Sequence, residues 1–397
     1  MAAIFAATAG ADCLLLERTP DGGRKILISG GGRCNILPTC LDESRFVTDS
    51  SPHTLRNIVR SWPLAEQITF FERELRLPLI EEQESGKLFP ASQRARDVRD
   101  GLLDLAASSG VRFLPNVVVT GASPSATGGG WRVTLDSAPP VEAETLIMAT
   151  GGLSVPQTGS DGGGLRIVEQ LGHTVHPTYA ALTPITAEPA PFGHLAGVSL
   201  QVTITADDGA RSATATGGMV FTHRGYSGPA VLDVSHVAVR SAPDSPARLR
   251  VRWAALDDAA WEEALQPQGA RTVARALRER LPERLALALL GVAGVDPARS
   301  LAQLRRDERL RLLDLLERGT LPWTGHEGYK KAEVTGGGVS LAEIDPRTME
   351  SRRHSGLFLC GEMLDAFGPI GGYNFVWAWV TGRAAGLGAA GKSVAGG

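Results

Sequence analysis

At 397 residues, 43% hydrophobic and 21% charged, the chain is long enough for two domains, or for one domain carrying a large insertion, around an ordinary core. A net charge of −3 and a pI near 6.3 argue against an electrostatic grip on nucleic acid or an anionic membrane. The four cysteines, Cys13, Cys34, Cys40 and Cys360, show neither a C-x-x-C pair nor metal-ligand spacing, so no metal site is expected and the usage fits a reducing cytoplasm.

The opening MAAIFAATAGA lacks the preceding positive charge of a signal peptide and predicts a helix with Ala3, Ala7 and Ala11 on one face. No apolar run reaches the roughly 18 residues a membrane helix needs. A strand at 13–16 ends in Glu17, and RKILISGGGRCN at 24–35 follows one loop later. Residues 52–77 carry apolar positions at helical spacing, EEQESGKLFP at 81–90 reads as a loop, and a helix is predicted around 91–108. A strand at 111–119 is expected to turn at Gly128–Gly130 onto a second at 131–135. Another strand, 144–149, runs directly into Thr150, Gly151 and Gly152.

After Pro184 the character changes. Strand-like runs at 198–206, 218–222 and 247–253 predict a small antiparallel sheet or barrel, and 257–318 turns helical. Strand and glycine character return at 333–339, EVTGGGV. At 356–360 a buried strand is expected, stopping at Gly361 and Glu362. A loop with Gly371 and Gly372 then leads into a helix whose Ala378, Gly382 and Gly386 share a face that can lie close against a sheet. A helix start of this kind favours negative charge; an ordinary buried βα unit with packing glycines is the alternative. The expected class is α/β, a doubly wound domain split in sequence. Residues 1–185 form its first part and 331–397 its second, around an insertion at 186–330 that is β-rich over 186–256 and helical over 257–330. GLGAAGKS at 386–393 satisfies the P-loop pattern, but a helix precedes it and only VAGG follows, so it reads as a frayed end.

Glu17 stands where dinucleotide-binding domains hold a ribose hydroxyl, with Arg18 beside it; a solvated strand end is the alternative. Arg24, Lys25, Ser29, Gly30, Gly31, Gly32, Arg33, Cys34 and Asn35 form the next group of candidates. The glycines allow close approach, and Arg33 can meet phosphate. Cys34 receives no redox role. Thr150, Gly151, Gly152 and Ser154 follow a strand end, where open α/β sheets bind ligands, and 161–164 begins a helix near them. In the insertion, His223 can shuttle protons and Arg224 can hold a carboxylate, with Tyr226 and Ser227 nearby; structural roles compete with all of these.

RKILISGGGRCN, ATGGLSVPQTGSDGGG at 149–164, FTHRGYSGPAVLDVS at 221–235, EVTGGGVSLAEIDPRTMES at 333–351 and GEMLDAFGPIGGYNFVWAWVTGRAAG at 361–386 resemble, in order, the bacterial flavoproteins labelled NAD(P)/FAD-dependent or aminoacetone-oxidase-like oxidoreductases. The resemblance implies FAD held by a split Rossmann-type domain, with a β-barrel-like plus helical substrate domain inserted. It implies Val118 near adenine, Gly361, Glu362 and Asp365 on the ribityl or pyrophosphate side, and Gly371, Gly372, Tyr373 and Asn374 at the flavin's pyrimidine edge. Tyr373 also joins the substrate-side candidates. That family begins with an apolar strand and a G-x-G-x-x-G turn, both absent ahead of the helix that starts here at Met1. The expected start therefore lies upstream, with a degenerate copy as the alternative, and weak FAD binding is expected of the sequence as it stands. The expected activity is hydride transfer between flavin and a small organic substrate, with NAD(P)H as a transient donor and no dedicated nicotinamide domain. An amine-type oxidase using O₂, a carbon–carbon double-bond reductase and a non-catalytic flavin- or nucleotide-binding protein are the alternatives.

Overall fold

The computed structural model describes residues 1–83, 85–126 and 128–391; Lys392 and Ser393 of the P-loop-like stretch lie outside them. The chain divides into two compact units, Met1–Tyr179 with Val334–Gly397, and Ala180–Glu333.

The first unit opens with α1 (Ala2–Thr8), β1 (Leu14–Leu16), α2 (Arg24–Ile28) and β2 (Leu37–Pro38). Ala3, Ile4 and Ala6 form the buried side of α1, and Ala11 lies beyond its end. Helices α3 (Pro52–Arg60) and α4 (Leu64–Thr69) follow. The Ser51 hydroxyl caps α3 by accepting the Thr54 N–H at 3.4 Å, Pro52 fills the first turn, and Leu55, Ile58 and Val59 face the core. Residues expected to be a loop form a hairpin instead, β3 (Leu79–Glu82) against β4 (Lys87–Pro90). Gly86, at φ +60°, supplies the left-handed turn residue.

Helix α5 (Ala95–Ser108) leads to β5 (Arg112–Leu114) and β6 (Val119–Pro124). The single strand expected over 111–119 is thus two, because Asn116 takes φ +59° and turns the chain between them. β5 runs parallel to β1, whereas β6 pairs antiparallel with β7 (Trp131–Leu135), which pairs with β8 (Val141–Ala143). β9 (Leu146–Met148), α6 (Gly163–Gln170) and β10 (Val175–Ala181) complete this stretch.

In the second unit β11 (Ile185–Thr186), β12 (Ser199–Asp207), β13 (Ser212–Thr222) and β14 (Gly225–Ser227) precede α7 (Pro229–Arg240) and β15 (Arg248–Trp253). Helices α8 (Asp258–Ala264), α9 (Val273–Arg278), α10 (Glu283–Ala293) and α11 (Arg306–Arg318) follow, then β16 (Gly319–Thr320) and β17 (Gly325–His326). Together they build a seven-stranded sheet in the order β16-β15-β12-β13-β14-β11-β17. One face is covered by α7 and α11 around Val202, Ile204, Leu249, Val251 and Trp253.

The chain re-enters the first unit through β18 (Val334–Val339), which pairs with β10, then β19 (Leu357–Leu359) and α12 (Tyr373–Ala389). β19 lies parallel to β9. The architecture is a Rossmann-type α/β fold with an inserted domain. Its core joins α1, α3, α5, β9, β19 and α12. Gly382 and Gly386 of α12 do not meet a sheet as expected. They meet α1, where ideal Cβ atoms would stand 3.1 Å from Met1 Cβ and 2.3 Å from the Ala2 carbonyl. Two small-residue faces let two helices touch backbone to backbone. No helix of the described residues is long and apolar enough to cross a membrane.

Candidate functional site

β9 and β19 are parallel neighbours, and the segments leaving their C-terminal ends converge on Thr335 of β18. A Cβ on Gly152 would stand 2.4 Å from the Thr335 hydroxyl oxygen, so only glycine allows this approach. That hydroxyl accepts the N–H of Leu153 at 2.7 Å and of Ser154 at 3.1 Å. The Thr335 N–H donates to Glu362 Oε1 at 2.9 Å, and the Ser154 hydroxyl donates to the same oxygen at 2.5 Å. Lys25 of α2 donates to Ser154 Oγ at 2.5 Å and pairs with Glu362 Oε2. The Lys25 and Glu362 side chains keep 32% and 17% of their surface exposed, so the pair is reachable from outside.

Next to it, Gly361 sits at φ +76° with nothing within 4 Å of where a Cβ would stand. Its backbone is nevertheless fixed: the N–H donates to Thr381 Oγ1 at 2.9 Å and the carbonyl accepts Trp377 Nε1–H at 3.0 Å. A rigid, uncovered backbone beside an ammonium group is suited to an anionic or polyhydroxylated ligand.

At the end of β1, Glu17 Oε1 accepts both the N–H and the hydroxyl of Thr19, at 2.7 and 2.6 Å, which orients the carboxylate. Arg18 pairs with Asp161 at 2.5 Å. Gly30, Gly31 and Gly32 all take left-handed φ, +55°, +68° and +86°, and Gly31 and Gly32 are exposed. Ser29 Oγ donates to the Ile26 carbonyl at 2.7 Å and Arg24 pairs with Asp21 at 2.7 Å. Arg33 pairs with Glu82 at 3.0 Å and stacks over Phe89. Gly30 packs against Asn35, whose backbone N would lie 3.0 Å from a Cβ there. Burial pushes the Cys34 thiol up to about 11, so it carries no thiolate at neutral pH. The Val118 carbonyl accepts the Asp136 N–H at 3.0 Å. Thr150 is exposed, and Gly151 takes φ +70°.

Further along, side chains turn inward. Asp365 is buried and accepts from Ser50 Oγ at 2.7 Å, Thr48 Oγ1 at 3.0 Å and the Asp49 N–H at 3.0 Å. The Asn374 amide closes a reciprocal pair with the Gly368 backbone, both bonds at 2.9 Å. Tyr373 is buried against Phe46, and its hydroxyl accepts the Asp42 N–H at 3.3 Å. Gly371 and Gly372 take φ +117° and +97°, and a Cβ on Gly372 would lie 2.7 Å from the Leu37 carbonyl carbon.

In the second unit, His223 and Arg224 are exposed at the turn between β13 and β14, with Arg224 paired to Glu188 at 3.3 Å. Tyr226 is buried in that unit's core and donates to the Pro322 carbonyl at 3.0 Å; burial pushes its phenol up. Ser227 is half-buried on β14.

Nothing in the sequence singles out Thr335, although EVTGGGV stands out around it. The glycines of that stretch serve close packing: Cβ atoms would stand 2.2 Å from the Tyr179 ring at Gly336, 2.3 Å from the Pro177 carbonyl at Gly337 and 2.6 Å from the Met363 carbonyl at Gly338.

A second polar chain has the outline of a catalytic triad. Ser351 Oγ lies 3.0 Å from His173 Nε2, and His173 Nδ1 lies 2.9 Å from Glu343 Oε2. Ser351 is 6% exposed, and its oxygen already accepts the N–H groups of Arg353 and His354 at 3.0 Å each. It is a structural lock.

The profile of the HI0933-like protein Rossmann domain matches residues 1–388. The chain belongs to this family. It is 33% identical over 386 residues to the ribosomal RNA dihydrouridine synthase of Escherichia coli (strain K12), covering 94% of this chain and 91% of that protein. It is 31% identical over 399 residues to the 3-dehydro-bile acid delta(4,6)-reductase of Clostridium scindens (strain ATCC 35704 / DSM 5676 / VPI 13733 / 19), covering 98% and 96%. Among solved structures, a flavocytochrome c3 fumarate reductase in its open conformation aligns at TM-score 0.47 and 15% identity, over 98% of this chain and 76% of that one. This is an FAD-binding oxidoreductase family, and FAD is the cofactor. The residues present fit that group: the oriented Glu17 carboxylate, the exposed Gly31 and Gly32, the Lys25 ammonium and the open backbone at Gly361.

Proposed function

We propose that this flavoprotein reduces a carbon–carbon double bond conjugated to a carbonyl group. Support comes from the near full-length likeness to two proteins whose names both denote saturation of such a bond, in a uracil ring and in a steroid-like ring enone. Bound FAD would supply the two-electron chemistry. The carbon β to the carbonyl takes a hydride and the α carbon takes a proton, so one double bond is consumed for each equivalent of donor. We assign NAD(P)H as that donor.

In this reading Glu17, Arg18, Arg24, Lys25, Gly30, Gly31, Gly32, Gly361 and Glu362 hold the cofactor. Ser154 and Thr335 position the Lys25–Glu362 pair. His223 and Arg224, solvent-facing at a strand turn, are the substrate-side candidates. Tyr226 and Tyr373, with their hydroxyls already engaged in packed surroundings, serve structure.

The test is anaerobic. The purified chain is reduced with NADPH, and recovery of its visible flavin band is followed on adding a ring enone, a uridine-containing RNA, or air. Fast recovery with an enone or RNA against slow recovery in air is expected. Recovery in air alone would make the protein an oxidase.

A further inference from the structure

We propose that the outer face of the seven-stranded sheet is a docking surface for the ribose-phosphate backbone of RNA. The proposal deepens the reductase reading, and it rests on that reading only for what happens to a docked strand.

β15 alternates strictly. Leu249, Val251 and Trp253 are buried, while Arg248, Arg250 and Arg252 point to the opposite side. Register places Arg250 opposite Thr205 and Arg252 opposite Thr203 on β12. Each threonine is paired in turn with a threonine of β13, Thr205 with Thr214 and Thr203 with Thr216, the hydroxyl oxygens 2.9 Å apart. β16 brings Thr320 opposite Arg250 from the other side. Directly paired residues share a face, so a column of arginines runs beside columns of hydroxyls. Asp207, opposite Arg248, is a carboxylate on this face, and its Oδ1 accepts the Gly209 N–H at 2.8 Å. Among the described residues neither Arg248 nor Arg250 has an ion-pair partner.

A solvated sheet face that serves solubility alone mixes signs. The guanidinium groups of Arg248 and Arg250, on the same side of one strand, repel each other, and a polyanion removes that repulsion. Alternate residues on a strand are about 6.8 Å apart, close to the step between successive phosphates of an extended nucleic-acid strand. A guanidinium fork matches phosphate oxygens, and threonine hydroxyls add contacts to phosphate or the 2′-hydroxyl. No aromatic residue is placed on these positions of β12, β13 and β15, so the surface grips backbone rather than stacking bases. The whole-chain charge of −3 conceals this because it averages over both units. The likeness to a ribosomal RNA dihydrouridine synthase points to RNA as the polyanion.

The experiment uses the flavin-loaded full chain and fluorescently labelled ribosomal RNA transcribed in vitro, with anisotropy titrations at several KCl concentrations. R248Q/R250Q is compared with R278Q/R280Q, which removes the same charge from the α9 region. The first variant is expected to bind about tenfold more weakly or worse. Its slope of log affinity against log salt should fall by about 1.4, at roughly 0.7 for each phosphate no longer neutralised. The second should match the parent, and both should keep the parent's flavin spectrum and rate of flavin reduction by NADPH. Unchanged affinity and slope in R248Q/R250Q, equal weakening in both variants, or no binding by the parent would each overturn the proposal. RNA binding through this face with no acceptor able to reoxidise the flavin would instead sink the reductase reading and leave the docking surface standing.

Discussion

Gly386 of α12 rides on the carbonyl of Ala2 in α1, where an added Cβ would stand 2.3 Å from the oxygen. Helix propensity alone favours alanine over glycine by about 1 kcal/mol. Overpacking costs about 1–3 kcal/mol, and the obstacle here is backbone, which has no rotamer to escape into. Gly386→Ala is therefore expected to lower stability by about 1–2 kcal/mol, read from the urea midpoint. Gly382→Ala, with 3.1 Å to Met1 Cβ, should cost less. A stabilised Gly386→Ala protein would show that the two helices do not pack this way.

Thr335 offers a sharper test of the cofactor site. Thr335→Val keeps the shape but leaves the N–H groups of Leu153 and Ser154 without the acceptor they use. Each stranded donor costs about 1–3 kcal/mol. Expected are a lower urea midpoint and a purified protein depleted in flavin, both restored by Thr335→Ser. Full flavin content in the valine variant would remove Thr335 from the site.

Lys25 and Glu362 differ in what they predict. Removing the ammonium takes away a charged donor worth about 1.5–3 kcal/mol, so Lys25→Met should weaken FAD binding by about tenfold or more. Glu362→Gln keeps an oxygen for Ser154 and Thr335 and frees Lys25, so its loss should be smaller. Titration of apo-protein with FAD, followed by flavin fluorescence quenching, ranks the two. The reverse ranking would mean that Lys25 does not face the cofactor.

The His173 lock predicts acid sensitivity. Burial lowers the His173 pKa from its ordinary 6.5, outweighing the hydrogen bond to Glu343. The unfolded chain therefore takes up the proton first, and stability falls as pH drops through 6.5. Burial would raise the Glu343 carboxyl, but bonds from Arg353, Thr174 and His173 carry it down to about 2. Its contribution is present above 4.5 and is lost as pH falls towards 2. Both effects have the same sign. The urea midpoint should decline from pH 7 to 5.5 and again below 4.5, and His173→Gln should flatten only the upper decline. An unaltered upper decline would mean that His173 does not titrate on unfolding.

Much of the fold and part of the site are legible in the sequence, and the reasons are local. The position of Glu17 at the end of β1 can be read because an apolar run ends at a carboxylate. The strand at 357–359 and the helix after it can be placed because periodicity and glycine spacing are short-range signals. The hairpin at 79–90 is hidden because its strands are short and charged, so no alternation stands out. The break at Asn116 is one residue's backbone choice inside an otherwise continuous β-like run. The union of Gly152 with Thr335 has no period at all, because it is made by residues far apart in the chain. Whole-chain charge says nothing about single faces for a related reason: it is a sum, whereas the arginine column of β15 is a local arrangement.

The pair of Lys25 and Glu362 spans 337 positions, and Gly361 is held by Thr381. Between them lies Ala180–Glu333, a continuous stretch with its own core. During synthesis, the middle of this protein can finish folding while the beginning still waits for its other half. The ammonium of Lys25, the hydroxyl of Ser154 and the carboxylate of Glu362 can meet only after residue 362 has been made, and the backbone beside Glu362 is braced only once α12 has followed. Loading of the cofactor is thus a late event, and a chain that stops short of that helix would emerge with a folded insertion and an unfinished site.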